Sequence, residues 1–194
     1  TLGRRTPSPE RLAWARPIVA AMGDRPPKSI GEVYPAEAVF LHDEPERTLK
    51  LQAVRVGDLG ITAIPDEVYA LTGLKLKARS PLPTTMNVEL ANGSEGYIPP
   101  PEQHALGGYT TWPARTAGLE VQAEPKIVEA VLGLLERVAG RPRLRERAPS
   151  TRYAEVVLAA RPAAFWRLDE MDGTAAFDAS GRERPATRRG GVAL

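Results

Sequence analysis

Residues 49–79 read LKLQAVRVGDLGITAIPDEVYALTGLKLKAR. Two short apolar runs flank Gly57-Asp58, a pair suited to a tight turn, so the first half reads as a β-hairpin. Leu49, Leu51, Ala53, Val54 and Val56 alternate imperfectly with polar residues on its first strand. The second half changes period. Asp66 can cap a helix, Glu67 falls in its first turn, and Lys75, Lys77 and Arg79 fill its last, an order that complements the helix dipole. Val68, Leu71, Leu74 and Ala78 would share its inner face. A hairpin running into a helix makes the domain α/β, a mixed sheet with flanking helices.

The neighbouring sequence extends this pattern. After a break at PLPT, residues 84–91 (TTMNVELA) read as a further strand. Residues 124–139 form an amphipathic helix with Ile127, Val131, Leu134, Leu135 and Val138 on one side, stopped by Gly140. Upstream, residues 7–22 open as a helix with Ser8 as cap and Pro9 in the first turn, and Pro17 argues for a break. Residues 23–35 read as loop, and a short helix or turn fits residues 34–41. Downstream, the arginine-rich residues 141–152 read as a linker. Residues 153–194 hold short apolar pieces separated by Gly, Asp and Pro, the style of an all-β module. Three segments follow: a domain over 1–140, a linker over 141–152 and a second module over 153–194.

Composition narrows the function classes. Nineteen prolines and 17 glycines imply many connections in a chain of 194 residues. The net charge is only +2, and no aromatics interleave with the arginines of GRPRLRER, so we expect no nucleic-acid partner. The absence of cysteine excludes disulfides and thiolate zinc sites. No apolar run approaches the roughly 20 residues of a membrane helix.

Residues 91–112, ANGSEGYIPPPEQHALGGYTTW, carry Tyr97 and Tyr109 on a glycine- and proline-rich loop. A phenol donates a hydrogen bond, and as phenolate it can bind a metal; the same rings can equally anchor a turn. Gly96, Gly107 and Gly108 permit backbone shapes that other residues resist, as in a plain turn or in close approach to a ligand. Glu67, at the end of a strand, suits a base, an acid or a metal ligand, or it caps the helix together with Asp66. His42 lies in a polar stretch and His104 between the tyrosines. Neither belongs to a paired-histidine metal motif.

Residues 51–81, 87–112 (NVELANGSEGYIPPPEQHALGGYTTW) and 127–138 (IVEAVLGLLERV) together resemble the carboxyl-terminal half of the catalytic domain of neutral/alkaline, non-lysosomal ceramidases. That family pattern is a strand ending in P-G-E, a helix, then A-N-x-x-x-x-Y and a G-G-Y segment. The resemblance implies a zinc-dependent amidohydrolase acting on an amide, such as an N-acyl lipid. It assigns Glu67 and Tyr97 as metal ligands, joined by two histidines from the amino-terminal half. Tyr109 would be catalytic, bonding the substrate amide or its oxyanion beside the Gly108 backbone, and the nucleophilic serine lies upstream. Asp66 replaces the motif glycine here, and the histidine pair is absent from these residues, so this chain would be inactive alone.

Residues 153–194 resemble the opening strands of a laminin-G-like, concanavalin-A-type jelly roll. The match runs through Pro162, Trp166, Arg167, Leu168, Glu170, Gly173, Thr174, Asp178, Ser180 and Gly181, with Phe165 in place of a tyrosine. Such modules bind glycans when complete. Both resemblances imply a secreted or periplasmic parent. The alternative is a non-catalytic surface or glycan-binding protein on a degenerate hydrolase scaffold.

Overall fold

A computed structural model describes residues 1–94, 96–144, 152–168, 174–187 and 189. The chain divides into two compact units, Thr1–Glu146 and Arg147–Leu194.

The first unit is mixed α/β and includes a short antiparallel pair, β1 (Leu2–Gly3) with β2 (Glu46–Arg47). Strands β3 (Gln52–Val56) and β4 (Leu59–Ala63) form the hairpin read from sequence, turning at Gly57, whose φ is +59°. Strand β6 (Thr84–Val88) joins β4 in parallel, so the sheet order is β3-β4-β6. Helix α3 (Ala70–Arg79) makes the crossover between the two parallel strands. Helix α5 (Ala123–Ala139) packs on the sheet through Ile127, Val128, Val131, Leu132 and Leu135, all buried with Ile64, Leu76, Leu82 and Ile98. Gly140 ends α5 in the left-handed conformation at φ +69°. Gly60 lets the helix close on the sheet: a Cβ there would lie 2.9 Å from Leu82 Cδ1 and 3.1 Å from Leu135 Cδ2.

A helical pair flanks this layer. Helix α1 (Pro9–Met22) starts at Ser8, whose hydroxyl accepts the Arg11 amide at 3.2 Å, and it runs through Pro17 without a break. Helix α2 spans Ile30–Asp43, longer than the 34–41 expected, and carries Pro35 buried inside it. The tertiary bonds of α2 offset the amide lost to Pro35. Glu37 takes Arg115 through both carboxylate oxygens, and the Arg4 and Arg115 guanidinium groups lie over the Phe40 ring at 4.9 and 4.8 Å. His42 falls in the last turn of α2 rather than in a loop.

The start of α3 also differs from the sequence reading. Asp66 is not a helix cap but a fully buried residue, and Glu67-Val68 is a short strand, β5. The Glu67 amide donates to Gly96 O at 2.9 Å and the Asp66 carbonyl accepts from Leu90 N at 3.2 Å. Cross-strand pairing thus takes the backbone groups that a first helical turn would use, and α3 begins only at Ala70. Its inner face carries Thr72 and Leu76; Leu74, expected inside, is exposed. Lys75 and Thr72 both bond the buried carboxylate of Glu124 on α5, at 3.1 and 2.9 Å, and this pairing sets the rotation of α3.

The second unit holds helix α6 (Arg152–Ala159) and a two-stranded antiparallel ladder, β8 (Ala175–Ala176) with β9 (Ala186–Thr187). Residues 153–159 are therefore helical, correcting the reading of the whole tail as all-β. Asp178 organises the remainder as a turn residue, accepting backbone N–H groups of Phe165, Ser180 and Arg184 at 2.9, 2.9 and 3.1 Å. A hydrogen bond from the Ser180 side chain, together with these backbone bonds, holds its carboxyl well below the usual range. Glu170 and Gly173 lie outside the described residues.

Candidate functional site

Glu67 and Tyr97 are 30 positions apart in sequence and adjacent in space. Strand β7 (Tyr97–Ile98) pairs with β5 in parallel, with Glu67 opposite Tyr97 and Val68 opposite Ile98. Parallel partners project to the same side. Carboxylate and phenol therefore leave neighbouring strands on one face.

The backbone around Tyr97 depends on Gly96. Gly96 has φ +83°, and a Cβ there would lie 2.2 Å from the Thr116 carbonyl oxygen. No other residue fits so close to main chain. That approach lets the Tyr97 amide donate to Thr116 O at 2.8 Å while Gly96 O accepts from Glu67. Three separate segments are thus tied at one point.

Tyr109 closes the group. Helix α4 (Pro101–Leu106) is followed by Gly107 and Gly108, at φ +79° and +96°, and then by the 3-10 turn Tyr109–Thr111. The Tyr109 hydroxyl donates to that of Tyr97 at 3.4 Å, and the rings meet edge to face at 5.4 Å. Gly108 accepts the Thr111 amide and hydroxyl at 3.0 and 2.8 Å, and the space beside its Cα is open. Sharing a hydrogen bond with Tyr109 and facing the Glu67 carboxylate, the Tyr97 phenol is pushed up to about 12. The Tyr97 phenol therefore keeps its proton at neutral pH.

One member was missed in the sequence. The Tyr69 hydroxyl shares a 2.7 Å hydrogen bond with Thr110 Oγ1, binding the Tyr109 turn to the start of α3. Its position two residues after Glu67 is the available signal, which a helical reading of the segment hides. Arg5 supports the same turn from behind by donating to Thr111 O. His104 lies on α4, where burial and the Arg5 charge lower its pKa. His42 contacts Arg16 at 3.4 Å and belongs to the α1–α2 pair instead. A cavity of about 400 Å³ also lies off the tyrosine group, lined by Arg5, Ser8, Arg11, Leu41 and Pro113.

The donor chemistry partly suits zinc. Glu67 and Tyr97 offer two oxygen donors side by side, where a zinc site takes three or four protein ligands. Among the described residues no cluster of three or more His, Cys, Asp or Glu gathers to complete such a set. Comparison with models of protein families, with curated proteins and with solved structures returns no match. The geometry of the tyrosine group therefore carries the functional reading. Among the described residues, no helix is long and apolar enough to cross a membrane.

Proposed function

We propose that this chain forms one wall of the active site of a zinc-dependent amidohydrolase of neutral-ceramidase type, acting on an amide such as an N-acyl lipid. The observation that carries the proposal is the convergence of Glu67, Tyr97 and Tyr109 across β5, β7 and the 3-10 turn. A plain loop has no need to bring these three side chains together on one face.

Glu67 and Tyr97 would hold the metal by their side-chain oxygens, with histidines outside this chain completing the set. Zinc, when bound, activates the attacking group and polarises the carbonyl. The exposed Tyr109 phenol, set edge to face against Tyr97, would turn its single O–H from the Tyr97 oxygen to the oxyanion that develops on the amide oxygen. The open space at Gly108 lets the substrate lie against main chain. On the same reading the parent is secreted or periplasmic, and the second unit contributes glycan binding.

Zinc titration followed by tyrosine ultraviolet absorbance tests the ligand pair. We expect a tyrosine difference spectrum that is lost in Tyr97→Phe and weakened in Glu67→Ala. An unchanged response in both variants would sink the assignment. A second reading, a non-catalytic binding protein on a degenerate hydrolase scaffold, is favoured by the two-donor set. Tryptic mapping of the native protein separates the two: peptides with a histidine pair upstream of Thr1 support the enzyme, and a native chain without them supports the scaffold.

A further inference from the structure

The sheet turns its apolar side outward. On β3, β4 and β6 the residues of one face are Gln52, Val54 and Val56, Leu59, Ile61 and Ala63, and Thr84, Met86 and Val88. The register sets Val54, Ile61 and Met86 in one row across the three strands. Val54, Val56, Met86 and Val88 are 53, 61, 47 and 38% exposed. The face toward α5 carries the small and polar residues instead: Gly60, Thr62, Thr85 and Asn87, with Thr62 bonded to Asn87 at 2.7 Å.

This arrangement reverses the usual order for a sheet with one wet face, in which polar side chains meet water. The β4–β6 pair is parallel and joined by a helical crossover, the arrangement that in all-parallel sheets goes with cover on both faces. None of the nine outward side chains is charged, so a second copy brings no like charge against it. Contiguous exposed apolar surface beyond a few hundred Å² is rare on a monomer and marks an interaction site. Covering it on two copies removes on the order of 1,000 Å² from water, the lower bound for a specific interface.

We propose that this face pairs with the same face of a second copy, making a symmetric dimer with the two sheets stacked. A two-fold axis along β4 sets Ile61 against its mate and Val54 of each copy against Met86 of the other. Methionine is flexible enough to fill the gap that a short valine leaves. The inference is independent of the amidohydrolase reading.

Sedimentation velocity of the full chain over a range of concentrations tests it. We expect a species of twice the 21.0 kDa chain mass. Val54→Arg and Met86→Arg should each raise the dimer dissociation constant about 100-fold or more, with far-UV circular dichroism unchanged. In the wild-type protein, peroxide oxidation of Met86 should speed up on dilution as the dimer parts. A wild-type monomer at about 100 μM would overturn the proposal. So would a dimer that persists in both arginine variants, or a Met86 oxidation rate independent of protein concentration.

Discussion

Gly96 is the residue on which the candidate site turns. Its positive φ and its closeness to Thr116 leave no room for a side chain, and its carbonyl is the one that accepts from Glu67. Gly96→Ala adds a methyl group that meets backbone rather than a yielding side chain. We expect a loss of about 2–4 kcal/mol in urea denaturation, together with a weakened near-UV signal from the Tyr97–Tyr109 pair. A variant as stable as the wild type would show that the loop rearranges freely and does not hold the tyrosines in place.

At the scale of the element, the carboxyl end of α5 is held by charge. Arg143 reaches back past Gly140 to Glu136 at 2.8 Å and to Glu129 at 2.6 Å, and Arg79 on α3 bonds Glu129 at 2.7 Å. The Arg55 side chain adds a bond to the Ala139 carbonyl, one of those left open at the helix end. Hydrogen bonds from Arg143 hold the Glu136 carboxyl at about 2, against an ordinary 4.5. A depressed pKa stabilises the fold above the unfolded value, and the contribution is lost as pH falls from 4.5 toward 2. The melting temperature should therefore drop across that window, and Arg143→Gln should flatten the drop. An equal slope in the variant would mean that other carboxylates dominate acid unfolding.

Across the first unit, the elements meet at an ion pair whose carboxylate is buried and whose cation is partly exposed. Glu124 on α5 is fully buried and takes Lys75 of α3 and Thr72; Lys75 also reaches Glu102 on α4 at 3.4 Å. Three helices are thereby set around one carboxylate, and α4 leads directly into the Tyr109 turn. Lys75→Met keeps the bulk and leaves Glu124 buried without its cation. We expect about 3 kcal/mol of destabilisation, larger than Arg143→Gln causes at neutral pH. Chemical denaturation of the two variants checks the ranking, and a loss under about 1 kcal/mol would mean that the pair contributes no more than a surface salt bridge.

The sequence by itself determined the parts whose signal is local. The hairpin at Gly57-Asp58, the Ser8 cap, the apolar stripe of α5 and its stop at Gly140 depend on neighbours within a few residues, and all are legible as written. Tyr97 and Tyr109 could be named as candidates because glycines flanked them, but not brought together. Tertiary structure decided what depends on distant partners. It moved the start of α3 from Asp66 to Ala70, because pairing with Gly96 took backbone groups that a helix would have used. It turned Leu74 outward, because Thr72 and Lys75 had to reach Glu124. It joined Tyr69 to the site through a hydroxyl 41 residues away. Alternation showed that β3 has two faces, but which one met α5 was set by close packing. Only Gly60 and the small threonines let the helix approach, and the valines were left on the outside.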